Sequence, residues 1–290
     1  MVRLKFSIEL GYQVADAGCD FLFNIHAAQT HQQNVLSEAL GISQILEPDL
    51  YTDPVSHNRY LKFRAVPGPL TVSYSATVDV RHHQDQPDNL QEIGVLQLPG
   101  QVLPYLYPSR YCQSDRLHRL AVKEFGHMRQ GYSRVQAIRD WVNQRVTFTS
   151  NSSTGYTTAV DTLIDEAGVC RDFAHLMIAL CRAVNIPARF VSGIDYGADP
   201  SLGPTDFHAY VEVYVGHRWY MFDPSGTAIP MGFVRIATGL DAASAAFATL
   251  FGGVSSLAPV ISIDALPDDH GNLVLPQHVA EALSTAGVEN

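Results

Sequence analysis

The sequence predicts an α+β chain. Residues 1–105 read as an antiparallel, β-sandwich-like N-terminal domain, and residues 106–290 as a mixed helix-and-strand domain with a C-terminal extension. Three observations carry this. Apolar residues recur with period two through the first hundred positions. From Ser114 onward they recur with a helical period. The change falls at a Pro-rich connection, residues 98–108. A length of 290 residues suits one large domain or two of ordinary size.

The strand pattern is explicit at Val2, Leu4, Phe6 and Ile8, at Phe21, Phe23 and Ile25, and at Leu70, Val72, Tyr74, Ala76, Val78 and Val80. Asp53-Pro54, Pro67-Gly68-Pro69 and the polar stretch 82–89 punctuate it as turns. Beyond the connection, Ser114 is placed to cap a helix carrying Leu117, Leu120, Ala121 and Phe125. Ser133 is placed to cap another carrying Val135, Ile138, Val142 and Val146. Residues 147–157 have no apolar period and read as a loop. Thr158 and Asp161 have capping-box spacing for a short helix ending at Gly168. A longer helix follows from about Cys170 to Val184, then strands near 188–194, 207–215 and 218–223. The Ala-rich stretch 241–250, an apolar strand-like run at 258–263 and a polar tail complete the chain.

Composition removes whole classes of function. With 46% hydrophobic and 17% charged residues the chain fills a core and is not disordered. Its formal charge of -10 leaves no basic stripe for phosphates, so nucleic acid is not an expected partner. No apolar run approaches the roughly 20 residues that cross a bilayer, so no membrane partner is expected either. The first residues alternate polar and apolar and do not resemble an export signal. A cytoplasmic location is therefore expected, with Cys19, Cys112, Cys170 and Cys181 as reduced thiols. There is no CxxC pair, GxxxxGK, GxGxxG or HExxH string. The pair His82-His83, near Asp85 and Asp88, sits on a loop where adjacent residues rarely satisfy metal geometry. No metal and no cofactor are expected. His26, His31 and His127 read as surface residues.

One cysteine stands apart. Cys170 falls in the first turn of its helix, where unpaired N–H groups and the macrodipole favour an anion. A lowered thiol pKa is the expectation there. Cys181 lies on the core stripe of the same helix with Phe173, Ala174, Met177 and Val184, and reads as a small buried hydrophobe. His175 is about 140° round the helix from Cys170 and faces away.

A nucleophilic thiol needs a base, and the base an orienting group. In the strand 207–215, His208, Tyr210, Glu212 and Tyr214 share one face. Gly216-His217 is a two-residue turn whose leading Gly suits type II′. Pairing Val215 with Arg218 sets Tyr210 opposite Asp223, so His208 and Asp223 become diagonal neighbours on one face. Taken singly, His208 also reads as a satisfied strand histidine and Asp223 as a turn residue before Pro224.

The run GVCRDFAHLMIALCRAVNIPARFVSG at 168–193, the strand Phe207-His208-Ala209-Tyr210-Val211-Glu212-Val213 and the return from Trp219 to Asp223-Pro224 resemble the core of the bacterial transglutaminase-like superfamily. Its members are papain-like cysteine enzymes, many labelled as cysteine proteases. The resemblance covers residues 117–238 strongly, and residues 1–105 resemble the β-domain that often precedes this core. It implies Cys170 as nucleophile, His208 as general base and acid, and Asp223 as orienter, acting on a peptide or protein amide through a thioester. Arg171-Asp172 after the cysteine, where animal transglutaminases carry Trp, favours hydrolysis over cross-linking. A protein-glutamine acyltransferase and a non-catalytic peptide-binding module are the alternatives. The N–H of Cys170 is one oxyanion donor. No side-chain donor is identified, and Trp141 reads as core packing.

Overall fold

The structure, a computed structural model, describes residues 1–197, 201 and 204–287. In chain order the first strands are β1 (Val2–Phe23), β2 (Gln33–Ile42), β3 (Asp49–Thr52), β4 (Arg59–Ala65), β5 (Gly68–Val80) and β6 (His83–Asp85). Then come α1 (Ser114–Phe125), α2 (Tyr132–Arg145), β7 (Thr147–Phe148), α3 (Ala159–Asp165), β8 (Ala167–Gly168) and α4 (Cys170–Ala183). The rest is β9 (Ala188–Asp195), β10 (Phe207–Val215), β11 (Arg218–Phe222), β12 (Phe233–Gly239), α5 (Ala242–Ala245), β13 (Ala248–Ser256), β14 (Val260–Leu266) and β15 (Ala282–Ser284).

The N-terminal strands form an antiparallel sheet organised by β1. The period-two runs at its two ends belong to one 22-residue strand, broken by a bulge between Val14 and Cys19. Gly18 turns the chain there at φ 73°, where a Cβ would meet the Ala65 carbonyl at 2.8 Å. Before the bulge β1 lies between β5 and β14, with β13 replacing β14 at Tyr12–Val14, and after it between β4 and β13. The C-terminal strands at 248–256 and 260–266 therefore complete the sheet of the first hundred residues. That pairing spans more than 200 positions and has no local signature.

The second sheet has the order β11-β10-β9-β12 and is antiparallel throughout. One face packs on α4, whose residues from Asp172 to Ala183 are all buried, as expected of a helix that is apolar almost all round. Polar clamps fix the two sheets together. Gln33 donates to the Arg235 carbonyl at 2.8 Å and accepts from the Arg235 N–H, and Asn58 does the same with Thr238 of β12.

Several local expectations are corrected. Ser114 and Ser133 lie inside their helices, behind Gln113 and Gly131 as cap residues; neither cap uses a side chain. The Thr158–Asp161 capping box forms, but α3 ends on Glu166 in a left-handed conformation, not on Gly168. His26 is 3% exposed, and burial first of all holds its pKa down at about 4. His83 is paired with Asp85 at 2.6 Å, and no group of metal-ligating side chains occurs among the described residues. No helix there is long and apolar enough to cross a membrane.

Candidate active site

The register of the β10–β11 hairpin is the expected one: Val215 pairs with Arg218 and Val211 with Phe222. The turn differs. Gly216 and His217 both have positive φ, 56° and 64°, which makes it type I′ rather than type II′. In either turn the residues flanking a two-residue loop form a hydrogen-bonded pair, so odd-numbered residues of β10 point their N–H and C=O groups toward β11. β11 stops at Phe222, one residue before Asp223-Pro224, and Pro has no N–H to continue a ladder. Phe207 and Ala209 are thus left facing the slot β11 has vacated.

Cys170 occupies that slot. It is the first residue of α4, after Val169 as cap, and its Sγ lies 3.9 Å from the Phe207 carbonyl oxygen and receives the Ala209 N–H. The thiol is therefore bracketed by the two residues on either side of His208. The loop before it is tied to the helix start. Asp172 is fully buried. It accepts from the Val169 N–H at 2.9 Å and from the Ser153 hydroxyl at 2.9 Å. Arg171 donates to Ser153 and to the Thr154 carbonyl. Gly168 is needed for this, because a Cβ there would lie 2.8 Å from the Asp172 Cβ.

His208 Nε2 lies 3.5 Å from Asp223 Oδ1, a charge contact outside hydrogen-bond geometry. Phe233 stacks on the imidazole at 5.2 Å. Asp223 is itself held by three donors: the Ser225 N–H at 2.9 Å, the Ser225 hydroxyl at 2.6 Å and the Ala228 N–H at 3.1 Å. It is both the turn residue and the neighbour of His208, so the two readings of it are compatible. Cys170 and His208 line one cleft of about 720 Å³. Its far wall comes from residues 242–248, where Phe247 stacks on Phe207 at 4.1 Å.

Comparison with known proteins gives the family of this fold. Residues 120–224 match the core of the transglutaminase-like superfamily, a span that contains Cys170, His208 and Asp223. Residues 2–101 match the bacterial transglutaminase N-terminal domain. A crystal structure from Cytophaga hutchinsonii, described as a "putative cysteine protease", superposes with a TM-score of 0.88 at 39% identity, covering 98% of this chain and 97% of that one. The chain belongs to the transglutaminase-like superfamily. It also resembles two proteins described as uncharacterized. ML0607 of Mycobacterium leprae is 25% identical over 61% of this chain, and YebA of Bacillus subtilis 26% identical over 54%. The chain spans 66% of the length of the first and 23% of the second.

The electrostatics of this transglutaminase-like cleft correct one expectation. The Cys170 thiol is pushed up to about 12, not lowered. Burial is the main cause, and the charges of Asp223, Asp195 and Asp206 add to it. The Ala209 N–H opposes them by favouring the anion. Burial works against charging His208, but Asp223 and then Asp195 outweigh it, and the imidazole pKa is raised. Asp223 shows the converse: burial opposes its charge, the His208 contact and the hydrogen bonds from Ser225 and Ala228 together outweigh that, and its pKa is lowered. Cys181, by contrast, is fully buried among apolar neighbours, as its place on the helix predicts. His175 faces away and accepts from the Ala242 N–H at 3.1 Å. Trp141 packs edge-on against Phe125. The sequence reading missed Asp195, at the end of β9, and Asp206, at the cleft wall.

Proposed function

We propose that the protein is a cysteine-dependent amide or peptide hydrolase in which Cys170, His208 and Asp223 act together. The observation that supports this most is the bracketing of Cys170 Sγ by Phe207 and Ala209, with His208 between them in the chain and its Nε2 turned to Asp223. That orientation leaves Nδ1 as the nitrogen for proton transfer.

With the thiol pKa high and the imidazole pKa raised, a resting ion pair is not the starting state. His208 takes the Sγ proton as the S–C bond forms, so it acts as a general base at the moment of attack. The carbonyl oxygen becomes an oxyanion facing the Cys170 N–H, one of the unpaired donors at the start of α4. His208 then returns the proton to the amide nitrogen, the C–N bond breaks and the amine leaves. Water gives a proton to His208, attacks the thioester carbon and releases the acid. Sγ departs and recovers its proton.

The test is a screen of peptide, isopeptide and simple amide substrates with Cys170→Ala as the blank. Hydrolysis that disappears in the variant is expected, with the acid as product. Adding a primary amine should leave acid as the main product. A product that becomes predominantly amide overturns hydrolysis in favour of acyl transfer, and equal rates for wild type and variant overturn cysteine chemistry.

A further inference from the structure

Asp195 has no place in the steps above, yet it lies at the same cleft. It ends β9, is 2% exposed and lines the cavity with Cys170 and His208, and its Oδ2 has no hydrogen-bond partner. A buried carboxylate oxygen without a donor costs the desolvation of that atom, so its retention points to a donor arriving from outside. Asp223 cannot serve, being an acceptor itself.

The remaining charges of the cleft decide what kind of donor fits. Asp206 adds a second carboxylate to the wall. Arg171 is the one Lys or Arg among the described lining residues, and its guanidinium is already bound to Asp172, Ser153 and Thr154. A neutral N–H would satisfy Oδ2 but leave Asp195 and Asp206 only His208, already shared with Asp223, as a countercharge. An ammonium supplies both donor and charge. We propose that Asp195 is the ammonium-binding residue of the cleft, so that the amide cleaved by Cys170 belongs to a substrate bearing a free primary amine. The amine is either a peptide N-terminus or a lysine-type side chain. With the cleft empty, burial raises the Asp195 pKa and Asp223 adds to this against His208. A bound cation acts in the opposite direction and favours the carboxylate.

The inference rests on the amidase reading, and its test separates the two. Paired anilides probe each amine source: alanyl against acetyl-alanyl, and acetyl-lysyl against its doubly acetylated form. One free-amine member should have a kcat/KM about 10- to 100-fold higher than its partner, the range for a hydrogen bond to a charged group. In Asp195→Asn of unchanged Tm the ratio between the paired members should fall to about one, whatever common change the loss of the Asp195 charge beside His208 makes to both rates. No preference in the wild type, or one that survives in the variant, overturns the proposal. So does an equal slowing of both partners, which would mean that Asp195 acts only through His208. If no anilide is cleaved, the amidase reading fails. Calorimetric titration of Cys170→Ala with alaninamide and N-acetylalaninamide then decides on binding alone, as it does if Asp195→Asn does not fold. Tighter binding of the free amine supports the subsite, and equal binding overturns it.

Discussion

Two charged clusters sit on one face of β10, four residues apart, and they are built on opposite plans. Around Glu212 every acceptor is met. Arg189 Nε donates to Oε2 at 2.7 Å, Arg235 donates to Oε1, and Arg189 lies 4.2 Å over the Trp219 ring. Glu212 has no exposed surface. Around His208 the contacts are incomplete. Nε2 stands 3.5 Å from Asp223 without a closed hydrogen bond, Asp195 Oδ2 has no partner, and a cleft opens beside them. The same strand thus carries a closed lock and an open site. The difference between them is not burial but a carboxylate acceptor left unmet beside an open cleft, which a reacting system can use and a structural pair cannot.

The comparison breaks first at Cys170. Cys170→Ala should reduce amide hydrolysis by about 10⁴-fold or more while leaving Tm nearly unchanged, because the side chain is half-buried and fills a slot rather than a core position. Full activity in the variant would remove the reason for calling the His208 cluster a site. Glu212→Gln should do the reverse. It leaves two guanidinium groups buried without their countercharge, which costs about 3–5 kcal/mol. Urea unfolding measures this directly, and a change under 1 kcal/mol would show that the closed cluster is not a lock.

Asp223→Asn sharpens the contrast within the open cluster. The loss of charge should lower kcat about 100-fold, within the range for a compromised acid–base group. It should also move the acid limb of the kcat/KM profile. His208 acts as a base only when neutral, so activity appears above its pKa. Burial lowers that pKa, and Asp223 more than reverses the effect. Without the carboxylate the limb moves to lower pH. A limb that stays in place, or rises, contradicts the role of Asp223 in setting His208.

Much of this site is legible in the sequence because it is built from local rules. Strand periodicity and a two-residue turn fix which face His208 and Asp223 share, and helix punctuation puts Cys170 at a helix start. What is not legible depends on distant contacts. The thiol pKa follows from burial against β10 and from Asp195 and Asp206, none of which the helix start reveals. Asp195 follows the buried run Phe190 to Ile194 and gives no signal of its own, since a polar residue there reads equally well as a strand terminator. The type I′ turn requires His217 at positive φ, which its residue type does not predict. The pairing of residues 248–266 with β1 joins opposite ends of the chain, and no period within either segment names its partner.

The smallest predicted effect compares two buried histidines with shifts of opposite sign. His208 is raised, so any stability it contributes is full below the unfolded value near 6.5 and is lost as pH rises through its folded value. His26 is held at about 4, chiefly by burial and then by the Arg59 charge, with Glu38 opposing them. Its ring packs 4.6 Å from Tyr74, and its Nδ1 has no partner. Its contribution is therefore full above pH 6.5 and is lost as pH falls toward 4, by roughly 2 kcal/mol at pH 5. Urea unfolding of wild type and His26→Gln at pH 7.5 and pH 5 isolates that share. The wild type should lose more stability than the variant over the interval, by about that amount. If both lose the same, acid sensitivity of the N-terminal sheet has another source, and burial of an imidazole without a carboxylate partner does not set its response to pH.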